Sequence, residues 1–331
     1  MRKGGDMKLK KSGRYFFLSL TLAFMLTSLA GCVAPGPKSH SGLNYKNPPR
    51  PQLEKYSGDK VALDSNEAPI LNSPPEMTGA ELERAGDILF SRGNLHMASV
   101  KYTKSLKLDP DNTRVLYKIG RLFVIGRLNA DAVQVFEEVL KREPEHALSY
   151  KGLGRAHFQM KQYDQAAKKY QKALKLDPNL WQAHNSLGII HDYQEKYELA
   201  AYDYSQAILL KPDEGLLYNN LGVSYFLAGE YQKAINAFNE ALARKYSKKK
   251  VFNNLGLALA KLERYQSAFG AFVKGGDEAQ AYNNMGCVHL EQGDAKKAIH
   301  SFEKAIEVNT AFYGKASENL KHVRLGYEQY Q

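Results

Sequence analysis

The side chains able to do chemistry in this 331-residue chain fall into a few groups. Cys32 and Cys287 carry the two thiols, and His157, His191 and His289 recur at one position of a repeated pattern. There is also a cationic and aromatic set, Arg114, Tyr117, Arg121, Lys151 and Arg155, and then a series of amides, Asn185, Asn219, Asn253 and Asn283. Guanidinium and ammonium groups make charge-assisted hydrogen bonds to carboxylates. A carboxamide offers both a donor and an acceptor, which suits the backbone of an extended peptide. Catalysis needs more than this. His184 and His191 could share a helix face, but no H-E-x-x-H pattern accompanies them, and there is no Gly-rich phosphate loop, G-x-S-x-G elbow or C-x-x-C pair. The expectation is a binding protein, not an enzyme, with no cofactor and no metal site. Cys287 and the repeated histidines read as packing residues.

The first 31 residues read as an address. Lys8, Lys10, Lys11 and Arg14 precede an uncharged stretch from Phe16 to Ala30. As a helix rising about 1.5 Å per residue, that stretch is short for a hydrocarbon core about 30 Å thick. It fits the core of a signal peptide instead. Leu29-Ala30-Gly31-Cys32 resembles a lipobox, which makes Cys32 the expected site of acylation and membrane anchoring. Val33 stands where Asp would signal inner-membrane retention. In a two-membrane bacterium this points to the periplasmic face of the outer membrane. Residues 1–31 hold six basic residues and one acidic residue, so much of the formal charge of +11 belongs to this segment. The mild excess in the remainder is a weak case for nucleic acid, and none is expected as a partner.

Prolines divide the rest of the chain. Eight of the twelve lie between Pro35 and Pro75, in a stretch without long apolar periodicity. Residues 32–78 therefore read as a flexible tether. The other four, Pro110, Pro144, Pro178 and Pro212, stand 34 residues apart. Gly86, Gly120, Gly154, Gly188, Gly222 and Gly256 keep the same step, and Gly286 comes 30 later. Twelve residues after each glycine comes an alanine, Ala98 through Ala298, and sixteen after comes an aromatic, Tyr102 through Phe302. Such a period marks a repeat architecture. Apolar residues at helical spacing around each glycine predict a first helix, and those around each alanine and aromatic predict a second. Proline then ends the pair by disfavouring helix in the residue before it.

This pattern resembles the tetratricopeptide repeat, most closely in Tyr218-Asn219-Asn220-Leu221-Gly222 with Ala234, Phe238 and Ala241. The resemblance implies an all-α fold: a right-handed superhelical solenoid of seven helical hairpins. The expected repeats are 79–112, 113–146, 147–180, 181–214, 215–248, 249–278 and 279–312, with a capping helix and tail over 313–331. The sixth is short, with Gly275-Gly276-Asp277 expected to end its second helix early. In this family the first helices line a concave groove. The resemblance then places Arg114, Tyr117, Arg121, Lys151 and Arg155 in a cationic half suited to an acidic segment or a C-terminal carboxylate. It places Asn185, Asn219, Asn253 and Asn283 in an amide ladder, for which solvated consensus positions are an equal reading.

Residues 215–312, and the run from Gly275 to Gly286 above all, look most like the lipoprotein of the tight-adherence (Flp) pilus system. That resemblance implies a membrane-anchored scaffold that assists assembly of the pilus secretion machine, with a secretin or pilus-assembly protein as partner. Two other readings stay open: a type IV pilotin-like secretin-assembly lipoprotein, and an adaptor that recruits cell-wall enzymes. Oligomeric state, and whether translation starts at Met1 or Met7, are not fixed by these residues.

Overall fold

The computed structural model describes residues 77–246, 249–308 and 313–328. The signal peptide, nearly all of the tether and the Cys32 acylation site lie outside the described residues. Within them the chain is all helical, with fifteen helices and no strand. In chain order these are α1 (Gly79–Ser91), α2 (Leu95–Leu108), α3 (Thr113–Ile125), α4 (Asn129–Arg142), α5 (Ala147–Gln159), α6 (Tyr163–Leu176) and α7 (Trp181–Tyr193). Next come α8 (Tyr197–Leu210), α9 (Gly215–Leu227), α10 (Tyr231–Ala243), α11 (Lys249–Lys261) and α12 (Tyr265–Gly275). The last three are α13 (Glu278–Glu291), α14 (Ala295–Val308) and α15 (Tyr313–Glu328). Among the described residues no helix is long and apolar enough to cross a membrane.

The punctuation is local chemistry. Thr78 starts α1 with a reciprocal capping box: its backbone N–H donates to Glu81 Oε2 at 2.8 Å, and Glu81 N–H donates to Thr78 Oγ1 at 3.3 Å. Asn94, Asn112 and Asp277 cap α2, α3 and α13 in the simpler way. Helices α2, α4, α6 and α8 each stop two residues before a proline, because the residue ahead of proline is driven out of the helical region. The turn inside each hairpin needs a left-handed residue seven positions after the repeat glycine. Gly93, Gly229 and Gly293 supply it directly. Arg127, Lys161, Glu195 and Glu263 adopt the same conformation at the same register, which a residue with a Cβ does at a cost of about 1 kcal/mol.

Glycine and aromatic pack against each other within a hairpin. A Cβ added to Gly120 would lie 2.6 Å from Phe136 Cε1, and one added to Gly222 would lie 2.6 Å from Phe238 Cε1. Ring and backbone therefore occupy the space a methyl group would need. The aromatics of this register, from Tyr102 to Phe302, are all buried. In the second repeat Phe136 also meets the next hairpin, since a Cβ on Gly152 would fall 2.4 Å from its Cζ.

The chain divides into two compact units at Ile190/His191, inside α7. In the N-terminal unit α1 to α5 share a core around Leu116, Ile119, Phe123 and Phe136, and a second cluster runs from Ala166 through Tyr170 to Ile190. In the C-terminal unit the core runs from Phe226 through Phe238 and Phe272 to Val288. The sixth repeat's second helix stops at Gly275, and Asp277 caps α13 by accepting from Gln280 N–H at 2.7 Å. At the far end α15 lays Leu320 and Val323 on Ala298 and Phe302, with Cys287 half-buried beside them. Leu325 stays exposed.

Candidate functional site

The repeat geometry brings four of the sequence-predicted residues together. Tyr117 and Arg121 on α3, Lys151 and Arg155 on α5, and Gln182 and Ser186 on α7 are each four residues apart, so each pair shares one helix face. The three pairs line a cavity of about 430 Å³ in the N-terminal unit. Phe136 and Tyr170 from the second helices, with Val124, Ile125, Leu148 and Gly152, form its apolar wall. None of the lining residues carries a carboxylate.

The cations are held in different ways. The Arg121 guanidinium lies over the Phe90 ring, 4.9 Å from its centroid, and 5.9 Å from that of Tyr117. Stacking of this kind orients the group while leaving its charge intact. Lys151 is half-buried, and its ammonium is held below the usual lysine range, first by burial and then by the positive charge of Arg121. Burial also raises the Tyr117 and Tyr170 hydroxyls. An anion entering here would relieve the strain on Lys151, because an opposite charge favours the protonated amine.

Arg114 is placed elsewhere. Its Nε lies 2.6 Å from Glu83 Oε1 and its Nη2 2.7 Å from Oε2, a two-pronged pair with a carboxylate that is only 4% exposed. Lys118 adds 2.7 Å contacts to Glu83 and to Asp87. Burial alone would raise Glu83, but the Arg114 and Lys118 hydrogen bonds outweigh it and hold the carboxyl below its usual range. The cationic half is thus partly neutralised by the first repeat. Glu83 and Asp87 occupy the same registers as Tyr117 and Arg121, so counting the first repeat as carefully as the second would have found them in the sequence.

The amide series does not form one open row. Asn185 is half-buried on α7, outside the cavity lining. Asn219 is half-buried, and its Nδ2 lies 3.4 Å from Asn220 Oδ1. Asn253 is 9% exposed and fits only because a Cβ is missing from Gly275, where one would lie 2.4 Å from its Oδ1. Asn283 is 1% exposed, and its Oδ1 accepts a hydrogen bond from Asn319 Nδ2 of α15 at 2.9 Å. The expected ladder position at Asn283 is therefore covered by the capping helix, because α15 stacks as the next first helix would.

One polar cluster was not anticipated from residue spacing. In the C-terminal unit, Tyr204 donates to buried Asp192 at 2.7 Å, and His191 Nδ1 lies 2.8 Å from Asp203. Chiefly through burial, the Asp192 carboxyl is pushed up to about 6. Asp192 stands four after its glycine, where the other repeats carry Phe90, Val124, Phe158, Phe226, Ala260 and Leu290. That mismatch with an apolar register was the available signal. Among the described residues no group of three or more His, Cys, Asp or Glu side chains could hold a metal ion.

Comparison with known proteins agrees with this architecture. The family model described as "TPR repeat" matches residues 154–191, and that described as "Tetratricopeptide repeat" matches 216–245 and 279–310. A chain of the APC/C hetero-tetramer Cut9-Hcn1 superposes with a TM-score of 0.52 at 22% identity, over 74% of this chain and 48% of that one. A tetratricopeptide repeat protein from Parabacteroides merdae gives 0.51 at 16% identity, over 74% of this chain and 98% of the other. A MamA crystal structure is 27% identical over 49% of this chain and 94% of its own, with a TM-score of 0.44. No curated protein matches. With repeat matches in both units and helical hairpins along the described residues, the chain carries tetratricopeptide repeats. Such repeats make it a protein–protein interaction scaffold, a fold that is typically non-catalytic.

Proposed function

We propose that this protein is a lipid-anchored adaptor that grips an acidic segment, or the C-terminal carboxylate, of a partner protein in the cavity of its N-terminal unit. The observation that carries the proposal is the convergence of Arg121, Lys151 and Arg155 on one cavity whose lining contains no acid. Charge-assisted hydrogen bonds to a carboxylate are worth roughly twice neutral ones, and the aromatic wall suits an adjoining apolar side chain. Cys32 would hold the protein on the periplasmic face of the outer membrane, at the end of the 32–78 tether. The resemblance of residues 215–312 to the tight-adherence lipoprotein supports a secretin or pilus-assembly protein as the partner.

The test is a photoreactive residue at Gln182, on the cavity wall, in protein isolated from its own membranes after irradiation. A secretin or pilus-assembly protein is expected in the adduct, and Arg121→Ala with Arg155→Ala should abolish it. Cell-wall hydrolases or synthases in its place would transfer the protein to the cell-wall adaptor reading. Absence of any adduct would remove the cavity from consideration. Mass spectrometry of the mature amino terminus tests the anchor, with an acylated Cys32 expected.

A further inference from the structure

The second helix of the fourth repeat has an outer face unlike those of most other repeats. Along α8, Leu199, Tyr202 and Leu209 are 50%, 61% and 73% exposed, and at steps of three and seven they lie on one stripe. The opposite face is already committed, since Ala200, Asp203, Tyr204 and Ala207 are buried. The other repeats provide the control. At the same three registers the second repeat carries Asp131, Gln134 and Lys141, the third Gln165, Lys168 and Lys175, and the seventh Lys297, His300 and Glu307. The fifth carries Lys233, Asn236 and Ala243, the sixth Ser267, Gly270 and Asp277, and the first Met97, Val100 and Lys107, so none of them is apolar at all three. Solvent-facing positions of this solenoid are therefore mostly polar, and the fourth repeat departs from that at all three.

Charge points to what covers the stripe. Alone among the seven second helices, α8 contains no lysine or arginine. Glu198 is exposed beside Leu199, and Glu195 is exposed just ahead of the helix. Of the two lysines at its caps, Lys196 stands one turn before Leu199 with its ammonium donating to Gln194 Oε1 at 3.0 Å, and Lys211 lies on the far side of the helix from the stripe. We propose that this face of α8 docks a cationic amphipathic helix of a partner protein. Leu199, Tyr202 and Leu209 take its apolar residues, and Glu198 takes a lysine or arginine beside them. An amphipathic helix supplies anchors at this spacing. A second copy brings only Lys196, already held on Gln194, near Glu198, and an anionic lipid surface would be repelled by it. The proposal is independent of the cavity, which lies in the other unit.

The test uses a fluorescent helical peptide of leucine and lysine, a leucine–glutamate counterpart, and the full mature chain. The triple variant Leu199→Gln, Tyr202→Lys and Leu209→Lys installs the third repeat's own residues at these registers, so it is expected to fold with an unchanged melting temperature. The leucine–lysine peptide should bind the native chain, and the triple variant should lose roughly ten-fold or more in affinity. Glu198→Gln should lose a few-fold by removing the paired charge. Equal binding by native chain and triple variant, or equal binding of the two peptides, would overturn the proposal. So would self-association in the ultracentrifuge that the triple variant abolishes, since the occupant would then be a second copy.

Discussion

The two units place different chemistry at equivalent registers, and side-chain reach decides the outcome. In the N-terminal unit the residues three before and one after the glycine include Tyr117, Arg121, Lys151 and Arg155, all long enough to extend beyond the helix seam into the cavity. In the C-terminal unit the position three before the glycine holds Asn219, Asn253 and Asn283. These amides are too short to leave the seam, so Asn253 and Asn283 end up buried. The difference shows that a polar residue in the groove register is not by that fact a groove residue. Arg121 and Arg155 stay exposed and Lys151 reaches the cavity, while the shorter Asn253 and Asn283 are taken up by the stack.

The largest expected effect sharpens the cationic side of this comparison. Arg121→Ala with Arg155→Ala should weaken an acidic partner peptide by about 100-fold, about 3 kcal/mol, at nearly unchanged stability. Isothermal titration measures the first and thermal denaturation the second. Asn283→Ala should do the reverse: binding holds, while stability falls by about 1–3 kcal/mol because Asn319 is left buried without its partner. A variant that binds less tightly yet melts normally would restore Asn283 to the groove.

Asp192 gives the C-terminal unit its own pH dependence. Its folded value, pushed up to about 6, lies above the ordinary 3.8. The unfolded chain therefore ionises first as pH rises. The contribution is fully present below about 4 and is lost as pH climbs to about 6. Asp192→Asn keeps an acceptor for Tyr204 and should match the native chain near pH 4. At pH 7 it should be more stable by roughly 2 kcal/mol. Melting curves of both proteins across that window decide it, and parallel curves would refute it. The smallest effect belongs to Arg114→Ala. Because Arg114 is 68% exposed and Lys118 remains on Glu83, the loss of stability should stay within about 1 kcal/mol. Peptide affinity should change by less than about two-fold, whereas a ten-fold loss would place Arg114 in the site.

The cavity was legible because charge type and register are both written in the chain. Arg121, Lys151 and Arg155 are long cations at positions the repeat turns to one side. Arg114 is the same residue type at a neighbouring register, yet it is held on Glu83. Reading it correctly required the first repeat's acids to be matched against the second repeat's bases. The apolar stripe of α8 was hidden for a different reason. Leu199, Tyr202 and Leu209 look like core residues in sequence, and only their exposure beside the buried Asp203 and Tyr204 separates them from the core.

The chain by itself determined the helical pairs, their period and their ends. Glycine, alanine, aromatic and proline at fixed spacing act through local sterics and short-range packing, which need no distant partner. It did not determine which polar groups would be buried or neutralised. The covering of Asn283 by Asn319, the holding of Arg114 by Glu83 and the seclusion of Asp192 depend on residues 12 to 36 positions away arriving at the right depth. Burial and pairing are properties of the space between helices, and that space exists only once the hairpins have stacked.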